Sequence, residues 1–410
     1  MPNDIKDAPS ECGIHHVAKW REPPHRRSYN GRMRDDAQIL GSGTGDMRSA
    51  LAAVAATPDA AAPGLPGRFY TCPEWFDWEC ETLLHQGWYA VGRADELAAP
   101  GDYLTTTLLG EPVVILRDDS GTIRAFANSC RHRGMPLVSG AGSAKRLVCP
   151  YHAWTYGLDG GLLRAARMVN DGFNPSTCRL PEFAVCLRYG FIYLSIAESP
   201  APMPVMPALD AMLDRYEPDS FRIVHSAEET WSCNWKMLVE NFMEGYHLSV
   251  VHPQTLHGYT PTGLSKKGPS GPGFTSYFAN YPDHADPRGG GAPGLTAEET
   301  RRSSLFSIFP GQVASQAASL LVSLSIIPVK VDEIRVRWTM STYGDTLDAP
   351  TIAARIALWN EVNREDREKL EAMQSALHSR FADGGYLAGP DYEGTVRDFH
   401  HWLAAEDARM

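Results

Sequence analysis

The chain has 410 residues, 43% of them hydrophobic and 21% charged, a length that fits about two or three domains with a sizeable core. Its net charge of −11 argues against nucleic acid as a partner and favours cationic ones. Eight scattered cysteines, no apolar run long enough to span a bilayer, and a charged, polar start that is unlike a signal peptide lead us to expect a soluble cytoplasmic chain with no membrane partner.

Residues 1–64 mix Arg, Asp and Gly and then an Ala-rich patch with little apolar periodicity, so a flexible or loosely docked segment is expected. The run Gly41-Ser42-Gly43-Thr44-Gly45 lies in it without a preceding strand and is weak as a nucleotide loop. From Leu65 the character changes. Pro73 suits a helix's first turn, Trp75, Phe76, Leu83 and Leu84 follow at helical spacing, and Gly87 stops the helix. Residues 88–194 read as short strands, with Val113 to Leu116 and then Ile123, Ala125 and Ala127 flanking an Asp118-Asp119-Ser120-Gly121 turn. The first folded unit is therefore placed at 65–200. Pro200, Pro202, Pro204 and Pro207 mark a linker into a second unit, 201–410. There, Asn234 to His247 reads as a largely buried helix, and Leu320 to Met340 alternates as a hairpin turned near Pro328.

Two short loops carry chemistry: Cys130-Arg131-His132 and Cys149-Pro150-Tyr151-His152. Two thiolates and two imidazoles suit a Rieske [2Fe–2S] cluster, in which one iron takes both cysteines and the other both histidines. Tetrahedral zinc accepts the same donors. Zinc fingers, however, pair Cys with Cys and His with His, whereas each loop here offers one of each.

A second constellation follows the linker. Glu240, Glu244 and His247 are spaced i, i+4, i+7 and would share one helix face. A solvated charged face is the plain alternative, but Trp235, Leu238, Phe242 and Tyr246 imply burial, where unpaired carboxylates are costly. His252 lies five residues past His247, which on an unbroken helix turns the rings about 140° apart. A helix end or distortion between them, with Pro253 just beyond, would let both face one ion. Two histidines and a carboxylate are the donor set of non-haem Fe(II) oxygen chemistry.

The loops match the C-x-H…C-x-x-H signature of Rieske proteins, including Arg131, Arg133, Gly134 and Trp154, while Met135 and Tyr151 stand where high-potential members carry a disulfide. From Leu65 to Leu403 the chain resembles the catalytic α subunit of Rieske non-haem iron oxygenases, whose motif N-W-K-x-x-x-E-N-x-x-acid-x-Y-H-x-x-x-x-H runs from Asn234 to His252. The resemblance implies an α+β fold: an antiparallel β Rieske domain plus a helix-grip (START-like) catalytic domain with an antiparallel sheet. It assigns Cys130, His132, Cys149 and His152 to the cluster, His247 and His252 to a mononuclear Fe(II), and Glu244 to a bridge toward a neighbouring subunit's Rieske histidine. The third iron ligand is expected to be a later Asp. Among Asp345, Asp348, Asp366, Asp383 and Asp391, the segment Glu361 to Arg367 is similar to the family's acid-Asp pair before a glutamine, which selects Asp366.

The resemblance further implies a homotrimer and a separate NAD(P)H-dependent reductase, since no flavin or nicotinamide fingerprint is present. Glu244 in the setting Glu-Asn-Phe-Met-Glu-Gly-Tyr-His looks like the branch acting on choline, glycine betaine and carnitine, although Gly245 stands where that branch often has Cys. A quaternary ammonium substrate needs aromatic walls, for which Phe242, Tyr246, Tyr277, Tyr281, Trp338 and Tyr343 are candidates. An aromatic acid would instead call for an Arg such as Arg335 or Arg337. A Rieske electron carrier fused to a ligand-binding domain is the non-enzyme alternative.

Overall fold

The computed structural model describes residues 42–287 and 289–409. Two seven-stranded antiparallel sheets dominate. The first has the order Tyr89–Arg93, Phe191–Ser195, Glu182–Arg188, Ile123–Ala127, Glu111–Arg117, Asp102–Leu108, Ala141–Ser143. Its fifth strand, Glu111–Arg117, carries the apolar run Val113 to Leu116, all 0% exposed. Side chains alternate across a strand, so the run divides between two cores. Val113 and Ile115 enter one, whereas Val114 and Leu116 join Phe126, Trp154 and both loop cysteines in the other. The predicted turn forms, with Asp118 Oδ1 accepting from the Ser120 and Thr122 amides. A small sheet of Leu147–Val148, Thr155–Tyr156 and Leu162–Arg164 carries the second Cys/His loop at a hairpin tip.

The second sheet runs Phe221–Trp231, Glu333–Tyr343, Leu320–Lys330, Gln312–Ala317, Arg302–Ile308, Phe274–Asn280, Ser265–Lys267. The predicted hairpin pairs Val322 with Met340, Leu324 with Trp338 and Ile326 with Val336, which puts the predicted apolar set on one face. Its reversal falls at Val331 and Asp332, beyond Pro328, where the register shifts. The helices Trp235–Phe242, Ala349–Ala376 and Pro390–Asp407 contribute to the core over this sheet.

The N-terminal region departs from expectation. Residues 1–41, including Gly41, lie outside the described residues, but Ser42–Ala56 is a helix whose Met47, Leu51 and Val54 are buried in the catalytic core. These three share an i, i+4, i+7 stripe that the surrounding alanines obscured. Arg48 pairs with Asp407 at 2.8 Å, and Arg397 donates to the carbonyls of Val54 and Ala55 at the helix's end. The following helices, Arg68–Thr71, Pro73–Glu79 and Cys80–Leu84, also belong to this core rather than to the Rieske sheet: Phe69, Trp75 and Leu84 pack with Trp235 and Phe309.

One buried ion pair clamps these layers. Lys236 Nζ lies 2.8 Å from both oxygens of Glu79, and the two side chains are 0% and 2% exposed. The Trp75 and Trp235 indoles also donate to Glu79, at 2.8 and 3.1 Å. Removing one partner leaves a desolvated charge, so Lys236→Met should lower unfolding stability by about 3–5 kcal/mol. Denaturant unfolding of the variant would check this, and the double variant with Glu79→Leu should recover much of the loss.

Candidate active site

The two Cys/His loops fold alike. The Cys130 amide donates to the Met135 carbonyl and the Gly134 amide to the Cys130 carbonyl, at 2.9 and 2.8 Å. The second loop repeats this from Cys149 to Trp154 and from Ala153 to Cys149, at 2.8 and 3.0 Å. Each tight turn needs a left-handed residue at the fourth position after Cys, met by Gly134 at φ 76° and Ala153 at φ 56°. The cysteines are consequently buried and the histidines stand at the exposed tip, with their Nδ1 atoms 3.1 Å apart. His132 stacks on Trp154 at 4.9 Å, and Tyr151 lies against His152 at 3.8 Å.

Buried sulfurs on one side and two converging imidazoles on the other fit a mixed-ligand [2Fe–2S] cluster. One contributor was not foreseen. The Tyr156 hydroxyl lies 3.4 Å from Cys130 Sγ and accepts from the Arg131 amide at 3.0 Å. Burial and then Cys130 push that hydroxyl well up, keeping it a donor toward sulfur. Hydrogen bonds to ligand sulfur raise a cluster's potential.

At the second constellation the long helix expected from Asn234 to His247 is not formed. Asn234 caps it by accepting from the Lys236 amide, but the helix Trp235–Phe242 ends before Met243. The chain is drawn off its axis because the Gly245 amide donates to the Tyr392 carbonyl at 3.0 Å, on the C-terminal helix. Glu244 is therefore not one turn along from Glu240. Its carboxylate instead accepts from the Tyr246 and His247 amides and from His247 Nδ1. A single helical turn, Leu248–Val251, then separates His247 at its start from His252 at its end.

That break lets the rings converge, with centroids 5.2 Å apart. Asp366, on the helix Ala349–Ala376, has Oδ1 at 3.6 Å from His247 Nε2 and 3.1 Å from His252 Nε2. One donor atom from each of the three residues lies within 4.8 Å of the others. His252 Nε2 is buried without a hydrogen-bond partner of proper geometry, an orphan that a cation would satisfy. Burial works against a charged His247, yet the hydrogen bond and charge of Glu244, together with Asp366, hold its pKa above the ordinary value. The pocket thus favours positive charge, and the donor set fits Fe(II).

Both distal ring nitrogens are held by carboxylates. Glu244 takes His247 Nδ1, and Glu365 takes His252 Nδ1 at 2.7 Å while also accepting from Thr255 Oγ1 at 2.7 Å. This fixes the tautomers and presents both Nε2 lone pairs inward. Glu365 was missed as an orienting group, although its place beside Asp366 was the available signal. The other aspartates lie elsewhere: Asp348 caps the long helix, Asp391 binds Lys266, and neither Asp345 nor Asp383 joins the donor group.

Of the aromatic candidates, Tyr277 is buried, and its pKa is raised by burial first and then by the charges of Glu244 and Asp366. Tyr246 is 58% exposed against Tyr392, Phe242 stacks on Trp359, Tyr343 donates to Glu217, and Tyr281 meets Ser303. Gly245 has a steric cause, since a Cβ there would sit 2.1 Å from Ser265 Oγ. Arg335 and Arg337 turn to the Rieske sheet, bonding Thr107 and Glu96. A cavity of about 510 Å³ reaches Glu244 and His247 from the side of the two long helices.

Residues 87–183 match the Rieske [2Fe-2S] domain, and residues 214–406 match the catalytic domain of the ring hydroxylating alpha subunit. The chain belongs to the Rieske non-haem iron oxygenases. The glycine betaine monooxygenase oxygenase subunit of Chromohalobacter salexigens is 38% identical over 195 residues, 47% of this chain and 44% of that protein. The carnitine monooxygenase oxygenase subunit of Acinetobacter baumannii is 35% identical over 204 residues, 48% and 54% of the two chains. The matched stretch thus spans about half the length of these relatives. Chloroplastic choline monooxygenase of Beta vulgaris is 26% identical over 355 residues, 82% of this chain and 76% of that one. In fold the chain resembles the quaternary ammonium Rieske monooxygenase CntA in complex with L-carnitine, at TM-score 0.74 and 24% identity, over 86% of this chain and 97% of that one. Naphthalene 1,2-dioxygenase from Rhodococcus sp. is as similar in fold, at TM-score 0.75 and 18% identity, over 88% and 98%. Among the described residues no helix is long and apolar enough to cross a membrane.

Proposed function

We propose that this chain is the terminal oxygenase of a Rieske system, taking O₂ and electrons relayed from NAD(P)H by a separate reductase to hydroxylate or N-demethylate a small quaternary ammonium compound. The observation that carries the reading is the convergence of His247, His252 and Asp366 with both distal nitrogens held by carboxylates. Bound there, Fe(II) would supply open positions for O₂ beside a substrate. His247 and His252 act as neutral donors, Asp366 supplies the negative charge, and Glu365 and Glu244 hold the rings. Cys130, Cys149, His132 and His152 would hold the cluster. The exposed His132 and His152, flanked by the exposed Met135 and Tyr151, are free to meet a partner surface, which supports a homotrimer in which Glu244 meets a neighbour's cluster histidine. A cytoplasmic location follows from the need for NAD(P)H.

Substrate class rests on sequence rather than on fold, because the fold is equally that of CntA and of naphthalene dioxygenase. The relatives above 30% identity act on glycine betaine and carnitine. The acidic surroundings of Tyr277 suit a cation, and neither Arg335 nor Arg337 is available to hold an aromatic acid.

With a surrogate reductase, NADH consumption coupled to product should appear with glycine betaine or proline betaine, releasing formaldehyde where a methyl is hydroxylated. Neutral isosteres should be poor substrates. Tyr277→Leu should raise KM by the factor that about 0.5–2 kcal/mol of cation–π contact represents. Coupled turnover of benzoates or phthalates, with every quaternary amine at background, would replace this reading with an aromatic-acid oxygenase.

A further inference from the structure

The cavity beside His247 holds more titratable groups than the metal site uses. Glu240, in the last turn of the helix Trp235–Phe242, accepts the Tyr70 hydroxyl with both carboxylate oxygens, at 2.8 and 2.9 Å. The same carboxylate lies 2.9 Å from His400 Nε2. His400 is 1% exposed, and its Nδ1 is buried without a partner, a position where an internal water is normally required. Glu393, two turns earlier on the C-terminal helix, lines the same cavity. Its carboxyl is pushed up by burial first and then by the charges of Glu244 and Glu240. Tyr70 is pushed far up by burial and by Glu240, and so keeps its proton to donate. The remaining charged groups around Glu240 are Lys236 on its own helix, Glu79 paired with Lys236 and acting on Tyr70, Lys369 on the long helix and Asp383 in the following loop. Glu240 contacts no candidate ligand itself, though Asn241 beside it donates to Asp366 at 3.3 Å.

We propose that Glu240 and His400, backed by Tyr70, form a proton relay that serves the candidate iron site across this cavity, a role that rests on the oxygenase reading above. Hydroxylation of R–H by O₂ takes up two electrons and two protons and yields R–OH and H₂O. One oxygen atom enters the C–H bond and the other leaves as water. The electrons come from the reductase, and the protons must cross a buried shell of protein. Glu240 takes a proton on either oxygen, and His400 exchanges one between Nε2, facing Glu240, and the unpartnered Nδ1. Cavity water carries it on toward His247, with Asp383 and Lys369 at the cavity wall.

The test uses Glu240→Gln, His400→Gln and Tyr70→Phe in the full chain. Cluster and mononuclear iron contents should stay at wild-type levels. Product per NADH should fall roughly a hundredfold in Glu240→Gln, the scale of a lost acid–base group, with peroxide released and an enlarged solvent deuterium isotope effect. Tyr70→Phe should lose less. In metal-free protein, an infrared carboxyl band that disappears in Glu240→Gln should change in the same pH step as the His400 ring signals in NMR. Wild-type coupling and isotope effect in Glu240→Gln, or independent titration of the two groups, would overturn the relay alone. A protein with both centres filled that oxygenates nothing would instead sink the oxygenase reading, and the relay with it.

Discussion

Asp366→Ala, His247→Ala and His252→Ala proteins will purify with two cluster irons, acid-labile sulfide and a Rieske-type EPR signal on reduction, yet without the additional mononuclear iron of the wild type. Each variant removes one of three donors that lie within 4.8 Å of one another. Since loss of an outer partner alone costs about 10–100-fold in metal affinity or activity, loss of a ligand should cost at least that much. For His252 the effect should be severe, because it is 1% exposed and is held to Glu365 as well as facing Asp366. Iron analysis and product yield on one sample decide the matter. Full iron and turnover in both histidine variants would end the oxygenase assignment.

Glu244→Gln will keep both metal centres and a reducible cluster while slowing product formation about 10–100-fold. The carboxylate takes the Tyr246 and His247 amides on one oxygen and His247 Nδ1 on the other. A glutamine supplies one acceptor oxygen and one NH₂ group, so it cannot serve both the turn amides and the ring N–H. The His247 ring then loses its fixed tautomer, and a neighbour's cluster histidine loses a charged acceptor. Single-turnover product formation after prior reduction isolates this step. An undiminished rate would refute the bridging role and leave Glu244 as an acceptor for the Tyr246 and His247 amides alone.

The pairing of cysteine with histidine in each loop was readable because ligand chemistry demands residue types at short spacing, and local hydrogen bonds close each turn within six residues. The strand pattern of residues 113–127 was readable for the same reason of local periodicity. Asp366 could be chosen only by resemblance, since it lies more than a hundred residues from His252 and nothing local distinguishes it from Asp345 or Asp391. The stripe Met47, Leu51 and Val54 was passed over because an Ala-rich helix gives little contrast between its faces. The continuous helix to His247 failed for a different reason. Propensity supported it, but the Gly245 amide finds its acceptor on a helix that enters nearly 150 residues later.

By itself, then, the sequence determined the donor types, their grouping into one candidate cluster site and one candidate iron site, and the antiparallel strands that carry the cluster loops, because each depends on spacing along the chain. Only the tertiary structure decided how those donors meet. It broke the helix after Phe242 so that His247 and His252 face Asp366, set Glu365 behind His252, turned Arg335 and Arg337 away to the Rieske sheet, and docked residues 42–84 onto the catalytic core. These outcomes depend on burial and on hydrogen-bond partners far apart in the chain, which local pattern does not encode.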